Sequence, residues 1–211
     1  MIPALLFPPV CLGCRRLLRH DPGPAGLPLC SACLAEHVPL PPDLRRVGGL
    51  EALHAYDGPL ARAVTDLKFA GDVALAGPLG RLLAGAEAFR RPWDRVVPVP
   101  LHPWRAVLRG YNQAALLARW AVAAAGFQRP ALEPRLLRRL RATPPQTELD
   151  GPARRQNLDG AIGVRRTVDG LRVLVVDDVT TTGATLAACV AALRAAGAAE
   201  AAGLALLRTL A

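Results

Sequence analysis

The sequence predicts an α/β protein in which a parallel sheet is flanked by helices and preceded by a small N-terminal module with four cysteines. Two apolar stretches, 95–100 and 173–176, have the length and branching of buried strands, and an alanine-rich helical pattern follows each of them. Strands that alternate with helices favour a parallel sheet. Two Cys-x-x-Cys pairs close to the N-terminus favour a separate metal-binding segment.

The length and composition are consistent with one substantial domain and one small one. A chain of 211 residues with 52% hydrophobic residues has enough apolar surface to fold, which argues against a disordered protein. We predict a cysteine module over 1–46 and a larger domain over 47–211. The apolar stretch 1–10 has no basic start and is too short to cross a bilayer, and no other uncharged stretch reaches that length. The cytoplasm is the default location.

The cysteines of the N-terminal module are spaced as in a zinc-ribbon-like site. Cys11 and Cys14 form one pair and Cys30 and Cys33 a second, with fifteen residues between the pairs. Two such pairs can place four thiolates around Zn²⁺, and a site with four protein ligands has no open position, which indicates a structural metal. Disulfide bonds are the alternative, although a chain without a secretory signal favours reduced thiols. Cys189 follows the apolar stripe of the last predicted helix and is expected in the core.

The elements after the module follow from local patterns. We expect a strand over 50–56, a turn at 57–59, a helix from 60 to about 69 and a second helix from 73 to about 88. Lys68, the only lysine in the chain, lies at the end of the first helix. A compact ammonium in so arginine-rich a chain suggests a role in the site, while a cation that stabilises a helix C-terminus is the alternative.

The stretch 95–113 predicts a second source of functional residues. Its strand contains Pro98, which disfavours a central position in the sheet. We expect the strand to lead into a loop, and Asn112 to cap a helix that ends near residue 126. That loop carries four candidate side chains: Leu101, His102, Arg105 and Arg109. If the strands at 95–100 and 173–176 are parallel, Arg105 and Arg109 lie opposite the acidic pair described next, where guanidinium groups suit a pyrophosphate.

The stretch 173–185 is the most informative part of the chain. Asp177 and Asp178 follow the apolar run 173–176, and a loop rich in threonine and glycine leads directly into a helix that runs to about residue 197. Ligands bind at the carboxyl ends of strands in open α/β sheets, and a helix N-terminus attracts phosphate through its free N–H groups. The pattern therefore predicts a phosphosugar site. The alternative is an ordinary turn in which the threonines only cap the helix.

A polar, proline-broken stretch over 141–161 is long for a connection between elements. We interpret it as a lid that closes over the site with Gln146, Arg154 and Asn157, since a closing loop excludes water from a reaction. A disordered insertion is the competing interpretation.

The positive charge is concentrated in the middle of the chain. The formal net charge is +9, and residues 96–170 contain 12 arginines against 5 acidic residues. Such a region attracts a polyanion, either a pyrophosphate or a nucleic-acid backbone. The alternative is a general bias toward arginine with solvated helix faces, and Arg138, Arg139 and Arg141 are candidates for such a face.

Residues 173–185 resemble the phosphoribosyl-pyrophosphate (PRPP) signature of type I phosphoribosyltransferases. The shared pattern is an apolar run, Asp-Asp, and then Thr-Thr-Gly-x-Thr. The resemblance implies a type I phosphoribosyltransferase-like sheet in which Asp177 and Asp178 face the ribose hydroxyls. It also implies a loop that grips the 5-phosphate, formed by Thr180, Thr181, Thr182, Gly183, Ala184 and Thr185.

Taken together, the segments are similar to the ComF family. The shared features are the cysteine pairs, Leu67-Lys68-Phe69-x-Gly71, Arg109-Gly110-Tyr111-Asn112-Gln113, Arg141-x-Thr143-x-x-Gln146, Arg154-x-x-Asn157 and the PRPP signature. Tyr111 stands where the family usually has Phe, and the phosphate loop has a third Thr. The resemblance implies a bacterial protein of natural competence that handles single-stranded DNA. It also implies contact with the helicase-like ATPase ComFA, at the inner face of the membrane.

Three functional hypotheses follow. The first is a phosphoribosyltransferase that uses Mg²⁺ with PRPP, in which Arg105 and Arg109 take up the charge of the leaving pyrophosphate. The second is a protein that senses PRPP or handles nucleic acid without turnover. The third is a zinc-bearing scaffold for DNA import. The sequence identifies neither the acceptor nor a general base.

Overall fold

The predicted fold class is confirmed by a computed structural model, which describes residues 9–18, 27–47, 49–125, 131–140 and 161–210. A six-stranded sheet forms the centre of the described residues, and helices cover both of its faces. The strands lie in the order β1 (Arg46–Val47), β2 (Leu50–Ala55), β8 (Glu200–Arg208), β7 (Arg172–Thr180), β3 (Arg95–Pro98) and β4 (Ala131–Leu132). Within the described ranges no helix is both long and apolar enough to cross a membrane.

The strands of this sheet are parallel except at one edge, where β1 and β2 form an antiparallel pair. A separate antiparallel pair, β5 (Leu137–Arg139) and β6 (Ile162–Val164), lies outside the main sheet.

The helices agree with most of the predicted ones. They are α1 (Ser31–Ala35), α2 (Gly58–Thr65), α3 (Ala76–Ala84), α4 (Pro103–Arg109), α5 (Gln113–Ala124) and α6 (Ala184–Ala195). The predicted helix over 60–69 is divided, because α2 continues into a π-helical turn, Asp66–Ala70. Asn112 caps α5 as predicted, since its side-chain oxygen accepts a hydrogen bond from the N–H of Ala115.

The core lies on both sides of β7. Leu174 and Val176 pack on the face that α2, α3 and α5 cover, whereas Val173 and Val175 pack on the face that α6 covers. Cys189, on α6, is completely buried in this second face, which confirms its predicted core position. A strand buried on both faces needs the unbroken apolar run seen at 173–176, and this explains why the sequence pattern is so clear.

Pro98 lies in an inner strand, contrary to the preference noted above. The N–H of Val99 donates to the carbonyl of Val176 on β7, so the nitrogen of Pro98 faces the opposite neighbour, β4. Because β4 ends at Leu132, which pairs with Val96, no hydrogen bond of the ladder is lost at Pro98.

Candidate functional site

The acidic pair lies within β7, not after it as predicted. Pairing with β8 extends β7 to Thr180, which lies opposite Arg208. On its other side β7 is paired with β3 only as far as Val176. Pairing with β8 therefore holds Asp177 and Asp178 in extended backbone on one side. On the other side they extend past the paired part of β3, which creates a crevice at its carboxyl end.

A cavity of about 410 Å³ occupies this crevice. We call it the sheet-edge cavity. Several predicted site residues line it together, namely Lys68, Arg105, Arg109, Asp177, Asp178 and Thr185. The remaining described residues of the loop, Thr180 to Ala184, lie beside it at the turn between β7 and α6 and are not part of the lining. Gln146, Arg154 and Asn157 lie outside the described residues.

The turn into α6 requires glycine at one position. Gly183 adopts a positive φ of 80°, and a Cβ at this position would lie 2.7 Å from Leu50 Cδ1 on β2. Gly183 itself provides no side-chain cap, and Thr182 Oγ1 accepts only a long hydrogen bond of 3.4 Å from the N–H of Ala184. Capping of α6 by Thr182, part of the alternative considered above, is therefore weak.

The two carboxylates are in different environments. Asp178 is 3% exposed, and its Oδ2 lies 2.8 Å from Lys68 Nζ, an ion pair in which both side chains are largely buried. Asp177 is accessible from the cavity but surrounded by protein. Burial and, second, the negative charge of Asp178 raise the pKa of Asp177 well above its usual value.

Lys68 was identified in the sequence as the sole lysine and as part of the motif Leu67-Lys68-Phe69-x-Gly71. It lies in the π-helical turn Asp66–Ala70, which ends at Gly71 with a positive φ of 72°. The wider turn directs the side chain toward Asp178 on β7 instead of toward solvent. The contact with a buried carboxylate favours the functional interpretation of Lys68 over a role at a helix C-terminus.

Arg105 and Arg109 reach the cavity from a helix, so the predicted loop at this position was wrong. His102 caps α4, because its Nδ1 accepts a hydrogen bond from the N–H of Trp104, and Pro103 suits the first helical position. The helix ends at Gly110, which has a positive φ. These local signals lie within ten residues of each other. The helix was not predicted because it is short and directly follows the apolar pattern of a strand.

Arg109 is held by two neighbours in the cavity. It donates a hydrogen bond to Oε1 of Gln113, and its guanidinium lies over the ring of Phe69, 5.2 Å from the ring centroid. Phe69 and Trp104 are strongly exposed, at 76% and 65%, and both line the cavity. The cavity therefore combines arginines, exposed aromatic rings and an acidic pair.

Arg139 is a cavity residue that the sequence analysis placed on a solvated face. It lies at the end of β5, and its Nε donates to the carbonyl of Pro100 at 3.2 Å. Burial is the main cause that lowers its pKa from the usual value of a guanidinium. Its neighbour Arg138 is exposed as expected. Successive side chains of a strand point to opposite faces, which separates Arg138 from Arg139. The segment is too short for its sequence to have predicted a strand.

The four N-terminal cysteines meet in one cluster. Their Sγ atoms all lie within 4.8 Å of one another, and Cys14 Sγ is 3.6 Å from Cys30 Sγ. All four are free thiols, so the disulfide alternative is not supported. Tetrahedral coordination with Zn–S bonds of about 2.3 Å separates sulfurs by roughly 3.8 Å, and the cluster could therefore hold a metal ion such as Zn²⁺.

The cysteines of the cluster differ in how readily they ionise: burial and the neighbouring cysteines raise the pKa of Cys33 to about 12, whereas Cys11 is shifted toward the thiolate. Burial opposes ionisation of Cys11, but hydrogen bonds from the backbone N–H groups of Cys30, Cys14 and Gly13 outweigh it and lower the pKa of Cys11 to about 6. A thiolate at neutral pH is the form that binds zinc. The cluster also packs tightly against α2, because a Cβ on Gly13 would lie 2.5 Å from Pro59 Cβ.

The cysteine module shares a core with the larger domain. Leu12, Leu29 and Cys33 are buried in the same apolar cluster as Leu60 and Leu67 of the segment 58–70. The division at residues 46 and 47 falls inside β1 and stays a prediction.

Comparison with known proteins gives relatives over most of the chain. It is 34% identical over 193 residues to the DNA utilization protein YhgH of Salmonella typhi, across 84% of this chain and 81% of that protein. It is 32% identical over 197 residues to YhgH of Escherichia coli K12, with the same shares covered. Competence protein F of Haemophilus influenzae is 31% identical over 198 residues, across 84% of this chain and 80% of that protein. No family model matches.

Solved structures overlap less extensively. The glutamine PRPP amidotransferase from B. subtilis, complexed with ADP and GMP, aligns with 62% of this chain and 25% of its own, with 26% identity and a TM-score of 0.42. The UMP synthase of Leishmania donovani aligns with 77% of this chain and 28% of its own, with 20% identity and a TM-score of 0.37.

Proposed function

The chain belongs to the ComF family of competence and DNA utilization proteins, and from this premise we propose that its sheet-edge cavity binds Mg-PRPP and transfers the phosphoribosyl group to an acceptor. The observation that supports this most strongly is the pair Asp177–Asp178, of which Asp178 is buried, at the wall of a cavity that one lysine and three arginines also line. Two adjacent carboxylates with little solvent around them are unfavourable unless charged or hydrogen-bonding partners compensate them, and Lys68 pairs only with Asp178.

The ribose and its 5-phosphate fit the two ends of the motif. Carboxylate oxygens accept hydrogen bonds from vicinal hydroxyls, and Asp177 and Asp178 supply several such oxygens at the cavity wall. The positive end of the α6 helix dipole, together with the hydroxyls of Thr181, Thr182 and Thr185, suits the phosphate. α6 has no acidic residue in its first turn that would repel it.

The opposite wall suits the pyrophosphate. Arg105 and Arg109 lie on α4, which follows the neighbouring parallel strand, so the leaving group has cations on the side away from α6. Mg²⁺ bound with PRPP would add positive charge beside carboxylates that otherwise repel a polyphosphate, and hard oxygen donors are the ligands it prefers. The cavity residues fit this ion.

The reaction follows from these contacts. The bond between C1 of the ribose and the pyrophosphate oxygen breaks, and its electron pair leaves with the pyrophosphate, whose charge Arg105 and Arg109 stabilise. A lone pair of the acceptor, such as a nucleobase or amine nitrogen, forms the new bond to C1 and releases its proton. Asp177 and Asp178 hold the ribose while positive charge develops at C1. Gln146, Arg154 and Asn157 remain the proposed lid and acceptor side, and Lys68 belongs to the same side.

The cysteine cluster has a structural role in this proposal. Cys11, Cys14, Cys30 and Cys33 would hold Zn²⁺, which supplies folding energy for a segment too small to fold alone.

Isothermal titration of the full chain with Mg-PRPP tests the binding. We expect measurable affinity in the wild type and a decrease of about 100-fold in Asp178→Asn, the size expected for loss of a buried charged hydrogen-bond partner. Asp43→Asn, which removes an exposed carboxylate on a 3-10 turn, is the matched control and retains affinity. No heat from the wild type at millimolar Mg-PRPP would refute the proposal.

Turnover separates an enzyme from a PRPP sensor. Release of pyrophosphate is measured with a panel of nucleobases, amines and single-stranded DNA as acceptors. A transferase releases pyrophosphate with at least one acceptor at a rate that depends on Asp177, whereas a sensor binds Mg-PRPP and releases none with any of them.

Single-stranded DNA is the macromolecular partner that the cavity rim favours. Phe69 and Trp104 are exposed rings beside Arg105 and Arg109, a combination that stacks bases and contacts phosphates. We expect affinity for a single strand to decrease linearly on a logarithmic salt scale, and to weaken further in Trp104→Ala. An affinity that does not respond to salt would exclude a phosphate contact. Association with ComFA and a position at the inner face of the membrane are further parts of this proposal.

A further inference from the structure

The segment 66–72 connects the acidic pair with its surroundings through three contacts. Lys68 Nζ lies 2.8 Å from Asp178 Oδ2. The ring of Phe69 lies under the Arg109 guanidinium. The carbonyl of Leu67 accepts a hydrogen bond from the Tyr111 hydroxyl. A displacement of this one turn would therefore change the acidic wall and the arginine wall of the cavity together.

The same segment is held from the other side by the cysteine module. The Nη2 atom of Arg15, the residue after Cys14, lies 3.2 Å from Asp66 Oδ2 and 2.9 Å from Asp72 Oδ2. These two aspartates bracket the π-helical turn, and the N–H of Asp72 donates to the carbonyl of Asp66. The guanidinium thus neutralises two carboxylates that would otherwise repel each other across the ends of the turn.

The backbone of Arg15 indicates that this side chain has a specific role. Its φ of 63° is the one positive value at a residue other than glycine among the described ranges. Glycine adopts this conformation without strain, whereas a residue with a Cβ does not. The N–H of Arg15 donates to the carbonyl of Cys11 at 2.9 Å, so the conformation is fixed by the turn that carries the first cysteine pair.

We propose that Arg15 is a positioning residue that couples the cysteine cluster to the sheet-edge cavity by holding the segment 66–72. With the Cys11–Cys14 turn formed, Arg15 draws Asp66 and Asp72 together, and Lys68 is placed against Asp178. When the turn is disordered, the segment relaxes and Lys68 leaves the carboxylate. The consequence for PRPP binding rests on the function proposed above, while the coupling itself does not.

The exposure of these ion pairs determines how much the loss of Arg15 changes the stability of the fold. The Arg15, Asp66 and Asp72 side chains are 35%, 46% and 38% exposed. Ion pairs with this much water around them contribute little to global stability. Loss of Arg15 is therefore expected to change the local position of Lys68 and to leave the fold intact.

The single lysine makes this measurable. The rate at which Lys68 reacts with an amine-specific acylating reagent is followed by mass spectrometry of its peptide, in the full metal-loaded chain and without PRPP. We expect Arg15→Gln to raise the rate at least about fivefold, the lower limit of a typical coupling between sites. Arg16→Gln is the matched control, because Arg16 is exposed and its side chain forms no ion pair within the described residues.

Further variants separate positioning from a general structural role. Asp72→Asn should increase the rate in the same direction, and Arg15→Lys, read at the separate Lys68 peptide, should restore most of the protection. Zinc content should be unchanged in all of them. Unchanged Lys68 reactivity in both Arg15→Gln and Asp72→Asn would overturn the coupling. If the coupling holds and the wild type binds no Mg-PRPP, the proposed function fails and the coupling stands.

Discussion

The cysteine cluster and the sheet-edge cavity both bring together side chains from separate segments, but different forces hold them. The cysteines lie on a turn at 11–14 and at the start of the five-residue helix α1, and Cys14 is exposed. Asp177 and Asp178 lie on a strand whose preceding residues, Val173 to Val176, are fully buried. We therefore propose that a metal ion stabilises the first site, whereas the sheet forms the second before any ligand arrives.

Removal of the metal tests this difference with the largest expected effect. In Cys14→Ser we expect loss of bound zinc and of folding energy on the order of 10 kcal/mol, because binding and folding of the module are linked. Hydrogen exchange should become fast over residues 9–18 and 27–47 and remain slow in β7 and β8. Cys189→Ala, which removes a buried thiol outside the cluster, is the control and should keep its zinc. Full zinc content and an unchanged melting temperature in Cys14→Ser would contradict the account.

Substitution of Asp177 tests the preformed cavity. Its expected effect on the free energy of unfolding is smaller than that of Cys14→Ser and has the opposite sign. Because the folded-state pKa of Asp177 is raised, its contribution to stability is present below the unfolded pKa of about 3.8 and is lost as pH rises through the folded pKa. At neutral pH the carboxylate is unfavourable. Asp177→Asn should therefore be more stable by about 1 kcal/mol at pH 7, with a weaker pH dependence, and should bind Mg-PRPP poorly.

Chemical denaturation from pH 4 to 8 provides this measurement. Asp43→Asn, at an exposed position, should leave the pH profile unchanged. A loss of stability in Asp177→Asn at pH 7 would mean that the aspartate is needed for the fold, and the distinction between the two sites would then fail.

The two sites also differ in how far the sequence predicted them. The strand, the acidic pair and the helix at 172–195 are determined by residues close together in the sequence, so the sequence pattern predicted them. The prediction was wrong only in ending the strand at Val176. The extension to Thr180 depends on pairing with β8, which no local pattern encodes. The cysteine cluster was predicted from residue spacing alone, because the two cysteines of each Cys-x-x-Cys pair are close together in the sequence.

Contacts between distant segments were missed. Lys68 reaches Asp178 only because a π-helical turn redirects it, and Arg139 reaches the cavity only because β5 pairs with β6. Arg15 had no sequence signal beyond its place after Cys14. Each of these contacts depends on the three-dimensional positions of elements, which composition and periodicity do not supply.

A crystal structure of the full chain with Mg-PRPP is the most direct test of the central claim. The account predicts ribose hydroxyls within hydrogen-bond distance of Asp177 and Asp178, the 5-phosphate at the N-terminus of α6 and the pyrophosphate beside Arg105 and Arg109. Ligand density away from both aspartates, or aspartates that keep only their protein contacts when PRPP is bound, would contradict it.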